Sequence, residues 1–140
     1  DVVGTDLSHT VIERARRARY PLERARRIPR HYLHRYGLRA PGTTEGGHAD
    51  ELLLAPELRS RVQFHQANLL QPLPAGLGLF DLVLLRNVLI YFDAAGKARL
   101  LRQVLPQLHA DGRLYTGHAE PLGQLGLPLR LEQTAVYRHG

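Results

Sequence analysis

The sequence contains no cysteine, methionine or tryptophan. Without cysteine there is neither a disulfide framework nor a thiolate zinc site. The histidines, among them His31, His34, His48, His65 and His118, lack the clustered spacing of a metal site, so no metal centre is expected. No apolar run approaches the roughly 20 residues that a membrane-spanning helix needs, so no membrane insertion is expected. The opening Asp1-Val2-Val3-Gly4-Thr5-Asp6 has no charged segment leading into an apolar one, and does not read as a signal peptide. A cytoplasmic location fits these absences. No internal repeat is visible. The lack of methionine extends to position 1, and the chain opens inside an apolar run. Both features lead to the expectation that it is a piece of a longer protein.

What is present is ordinary globular composition: 140 residues, 44% hydrophobic and 23% charged, enough for one domain with a core. Lys and Arg number 19 against 13 Asp and Glu, a net charge of +6 that favours anionic partners without choosing among them. Much of that charge lies between Arg14 and Arg39. This stretch reads as a solvated helix face or as a surface turned toward an acidic protein. A nucleic-acid partner is not expected, because neither interleaved aromatics nor a known motif accompanies the charge.

Val2 and Val3 before Gly4-Thr5-Asp6 read as the end of a buried strand, and Ser8 as the N-cap of a helix running to about Tyr20. Glu13 and Arg17 are spaced as a helical ion pair. Pro21 can open a second short helix, and His31–Tyr36 one more turn. Ala40-Pro41-Gly42-Thr43-Thr44-Glu45-Gly46-Gly47-His48 is turn chemistry between Tyr36–Arg39 and Glu51–Leu58, which predicts an antiparallel hairpin with a long tip. A strand is expected from Val62 to near Asn68. Phe80–Leu85 is a near-continuous apolar run, as in a central parallel strand covered on both faces. Asp93 caps the next helix, whose apolar residues Leu100, Leu101, Val104, Leu105 and Leu108 recur at helical spacing. Asp111-Gly112 is expected to end that helix before strands at Arg113–Thr116 and Val136–Arg138. The order is that of an α/β fold with an insertion at about residues 36 to 60.

Ligands of open α/β sheets bind outside the carboxyl ends of the strands. Three such ends carry polar residues: Asp6, Asn68 and Arg86-Asn87. A carboxylate after the second strand of a nucleoside-binding fold accepts hydrogen bonds from ribose hydroxyls. For Asp6 that reading stands beside a helix-capping one. For Asn68, pairing with an adenine edge stands beside a plain turn former.

The segment Arg86-Asn87-Val88-Leu89-Ile90-Tyr91-Phe92-Asp93 resembles the signature Arg-Asn-Val-x-Ile-Tyr-Phe of the CheR family of chemotaxis-receptor methyltransferases. Gly4-Thr5-Asp6-Leu7-Ser8, Ala15–Tyr20, Phe64–Leu70 and Gly117-His118-Ala119-Glu120 resemble further family segments in the family's order. Ala119 departs from the usual Ser. The resemblance implies a Rossmann-like class I methyltransferase fold that uses S-adenosylmethionine (SAM). It spans residues 1–140 as a partial catalytic domain, without the family's N-terminal helical domain and first strand, and the insertion at about 36–60 is the family's small β-subdomain.

The activity implied is methyl transfer from SAM to glutamate side chains on methyl-accepting chemotaxis receptors, giving methyl esters and S-adenosylhomocysteine. By resemblance, Asp6 holds the ribose, Asn68 and Leu69 contact the adenine end, Leu85 and Arg86 line the cofactor, and Tyr91 faces the acceptor as the catalytic residue. The partner implied is the receptor's cytoplasmic domain, with a receptor tail peptide as a further candidate at the β-subdomain. Two other readings remain open: a CheR-like module without turnover, and a SAM methyltransferase with a different acceptor.

Overall fold

The structure, a computed structural model, describes residues 1–41 and 50–140. It comprises two compact units, Asp1–Gln66 and Ala67–Gly140.

In the first unit, β1 (Val2–Asp6) pairs in parallel with β5 (Val62–Gln66), in register from Val2–Val62 to Asp6–Gln66. Parallel neighbours require a crossover. Here the crossover contains α1 (His9–Arg17), β2 (Arg19–Pro21), a 3₁₀ segment (Leu22–Arg27), α2 (Arg30–Tyr36), β3 (Gly37–Ala40), β4 (Glu51–Leu54) and α3 (Pro56–Arg59). Ser8 caps α1 as expected, its Oγ accepting from Val11 N at 3.4 Å.

The helix stops well short of Tyr20. Ala18 takes the left-handed conformation (φ 53°), and Arg19–Pro21 extend to pair antiparallel with β4. Tertiary pairing has overridden local helix preference. Glu13 bonds Arg16 at 2.7 Å rather than Arg17, and Arg16 also donates to Phe64 O at 2.8 Å, which ties α1 to β5.

The expected hairpin strands form, with β3 antiparallel to β4 from Gly37–Leu54 to Ala40–Glu51. They belong to a three-stranded sheet in the order β2-β4-β3. The second strand ends at Leu54, not Leu58, because Pro56 starts α3 at a position where its missing N–H costs nothing. The Gly-rich tip at 42–48 falls outside the described residues.

In the second unit, β6 (Phe80–Leu85), α4 (Ala94–Val104) and β7 (Leu108–Thr116) form a βαβ unit with parallel strands. β8 (Leu129–Gln133) and β9 (Val136–His139) complete a sheet in the order β6-β7-β9-β8. Asp93 caps α4, its Oδ1 accepting from Gly96 N at 2.7 Å. Leu100, Leu101 and Val104 on one face of α4 pack with Leu85, Leu114 and Tyr137 in the unit's core.

Three expectations change here. β6 is covered on one face only: Leu82 is 51% exposed and Leu84 65%, and among the described residues the strand is paired on one edge. The helix ends at Val104, followed by a 3₁₀ turn holding Pro106, which has no N–H to continue the ladder. β7 therefore begins at Leu108, and Asp111-Gly112 sit inside it at a register shift opposite Phe80–Leu82. β8 was not foreseen. It meets β9 across a turn in which Ala135 has φ 61°. Among the described residues no helix is long and apolar enough to cross a membrane.

Candidate functional site

At the carboxyl end of β1, Asp6 Oδ1 accepts from Ser8 N at 2.8 Å, closing the turn into α1. Gln66 Nε2 donates to Leu7 O at 2.9 Å, fastening the same turn to the end of β5. The capping and ligand readings of Asp6 are therefore compatible. One oxygen builds the turn, and the other has no partner among the described residues.

Asn68 and Leu69 belong to the second unit. Asn68 Oδ1 accepts from Leu70 N at 3.0 Å, which makes it a turn former, while its amide nitrogen has no partner among the described residues. Gln103 of α4 donates to Leu69 O at 3.4 Å, and the Leu69 side chain packs against the core.

Leu85, Arg86 and Tyr91 share one turn at the carboxyl end of β6. Leu85 is buried in the core, so only its main chain faces the strand end. Arg86 is exposed. Asn87 adopts φ 59°. Leu89 is 0% exposed and anchors the turn, while Tyr91, two residues on in the 3₁₀ segment Leu89–Tyr91, is 79% exposed. The turn thus buries one side chain and presents a guanidinium and a phenol on either side of it.

Sequence reasoning missed Glu120. It is 1% exposed, and its carboxylate accepts from the main-chain N–H groups of Asn87 and Ile90 at 3.1 and 3.0 Å and from that of Gly117. Its partners are amides with no residue-type signature. The only hint was its place in the Gly117–Glu120 segment after a strand.

The first unit also holds a cleft of about 540 Å³ between α1, α3 and β5, with Tyr20, Leu58 and Phe64 in its lining. None of the expected site residues lines it.

Taken singly, Asp6 at the end of β1 offers a carboxylate oxygen to hydroxyl donors, and Asn68 in the second unit offers amide donors. The class is a Rossmann-like SAM-dependent methyltransferase fold.

The profile of the family described as "CheR methyltransferase, SAM binding domain" matches residues 1–137. A chemotaxis protein methyltransferase of Salmonella typhimurium is 34% identical over 136 residues, covering 97% of this chain and 46% of that protein. Chemotaxis protein methyltransferase 2 of Pseudomonas aeruginosa is 35% identical over 119 residues, covering 85% and 41%. A chemotaxis protein methyltransferase of Pseudomonas putida is 38% identical over 129 residues, covering 91% and 43%. The chain belongs to the CheR methyltransferase family, in its SAM-binding domain, and its cofactor is SAM. It spans less than half the length of these curated relatives.

Proposed function

We propose that the full-length protein methylates glutamate side chains on the cytoplasmic domain of methyl-accepting chemotaxis receptors, releasing S-adenosylhomocysteine. The observation that carries this reading is the turn after β6. It bears the segment Arg86–Asp93 within the family match and holds Tyr91 in the open, at the strand end where such folds take their ligands.

A glutamate carboxylate has a pKa of about 4.3 and is already ionised at neutral pH, so no general base is required. When bound, SAM supplies an electrophilic methyl group on a sulfonium. The chain's own residues then orient the reactants and exclude water. Alignment of this kind is worth about 7–11 kcal/mol in favourable cases. In this reading Asp6 accepts from the ribose hydroxyls, and Asn68 and Leu69 meet the adenine end. The main chain at Leu85 and the Arg86 side chain line the cofactor, and the Tyr91 hydroxyl orients the acceptor carboxylate.

Residues 1–140 act as part of the catalytic domain, in the cytoplasm. The β2-β4-β3 sheet serves as its β-subdomain, where a receptor tail peptide adds as a further strand.

The test is transfer of a labelled methyl group from SAM to a purified receptor cytoplasmic domain. Label on glutamate that is released by mild alkali is the expected result. Alkali-stable label would mean a different acceptor, and no label with a folded, cofactor-binding enzyme would favour a module without turnover.

A further inference from the structure

Glu120 has no part in the chemistry above, yet it is among the most deeply buried polar side chains of the chain. It stands just past β7, in a turn closed by its own N–H donating to Gly117 O at 3.0 Å. Oε1 accepts from Ile90 N at 3.0 Å, and Oε2 accepts from Asn87 N at 3.1 Å and from Gly117 N. Among the described residues no cation pairs with it. A buried carboxylate without such donors would be costly. Three N–H donors match a group that only accepts, whereas a glutamine amide would turn its own NH₂ toward one of them.

Two of the three donors belong to the turn after β6. Arg86 precedes the first clasped amide and Tyr91 follows the second. Between them Asn87 holds a left-handed conformation that few residues other than glycine adopt, and the main-chain bonds that brace the turn from within, Tyr91 N to Val88 O at 3.2 Å and Phe92 N to Leu89 O at 3.1 Å, both lie after it.

We propose that Glu120 is a positioning residue, whose buried carboxylate clasps the amides of Asn87 and Ile90 and so fixes where Arg86 and Tyr91 present their side chains to cofactor and acceptor. The inference rests on the function proposed above. Gly117 is part of the same device: a Cβ there would lie 2.5 Å from Glu120 Oε2, so alanine would push the carboxylate off its donors.

The test uses the full-length enzyme with Glu120→Gln and Gly117→Ala, which keep the bulk of the site where Glu120→Ala would open a hole. Amide hydrogen exchange reads the clasp without any reaction. Exchange at Asn87 and Ile90 is expected to rise at least about 10-fold while α4 is unchanged, since local opening need not follow global stability. Unchanged exchange at these amides, or an equal rise throughout α4, overturns the proposal.

In turnover, both variants should lower kcat by about 10–100-fold with the acceptor KM nearly constant, as expected for small misplacement of reacting groups. Glu120→Gln combined with Tyr91→Phe should be no slower than the slower single variant. Independent, multiplying losses would mean that Glu120 does not act through the tyrosine turn, and would overturn the proposal. A wild-type enzyme that binds S-adenosylhomocysteine but forms no glutamyl ester would refute the acceptor assignment, and the exchange result would still decide the clasp.

Discussion

The turn after β1 and the turn after β6 end their strands in the same way, with a polar residue following apolar ones, but they are held differently. Asp6 closes its turn on Ser8, two residues away, at an exposed site. The turn after β6 is held from a distance: Leu89 is sunk in the core, and Glu120 reaches back across about thirty positions to two of its amides. A turn built from its own residues survives changes elsewhere. A turn clasped by a remote side chain inherits the fate of that side chain, and can in return be held in a conformation its own sequence would not choose.

The strongest way to break this contrast is Leu89→Ala. Removal of a fully buried leucine should destabilise the protein by about 2–5 kcal/mol, read from urea unfolding. A loss under 1 kcal/mol would mean that the turn is not anchored through the core.

Asp6→Ala should leave the fold nearly intact and weaken SAM binding in the full-length enzyme by about 1–3 kcal/mol, the range for removing one partner and leaving the other unsatisfied. Unchanged affinity by calorimetry would return Asp6 to a capping role alone.

Tyr91→Phe is smaller again. At 79% exposure it should alter stability by less than about 0.5 kcal/mol. It should also slow methyl transfer by about 10-fold with SAM affinity kept, as for loss of a single contact that orients the acceptor. A large loss of cofactor affinity would place the tyrosine on the wrong side of the site.

The smallest effect separates distance from burial. Glu132 and Arg113 also form a long-range contact, bidentate at 2.7 and 3.1 Å, but an exposed one. The hydrogen bond from Arg113 holds the Glu132 carboxyl below its ordinary range, against a smaller opposing effect of desolvation. Its contribution to stability is therefore complete above the ordinary carboxylate value and is lost as pH falls through the lowered folded value. The urea midpoints of wild type and Glu132→Gln should differ slightly at neutral pH and converge in acid. Divergence in acid would contradict the sign.

Legibility in the sequence followed the same division. The caps at Ser8 and Asp93 and the strands around Val62–Gln66 and Phe80–Leu85 were readable because each is specified by neighbours in sequence. β2 was hidden because its residues look helical until β4 arrives to pair with them. β8 was hidden because its pattern alternates weakly and most of its side chains are exposed. The open face of β6 was misread because an apolar run does not tell which of its faces a helix will cover. Of the candidate site, the residues at strand ends were visible, and the carboxylate that holds one of those ends was not, since main-chain partners leave no trace in residue type.

The most direct measurement is calorimetric titration of S-adenosylhomocysteine into the full-length protein. One site per chain, weakened by Asp6→Ala, is the predicted result. A folded protein that takes up no ligand would contradict the account at its base.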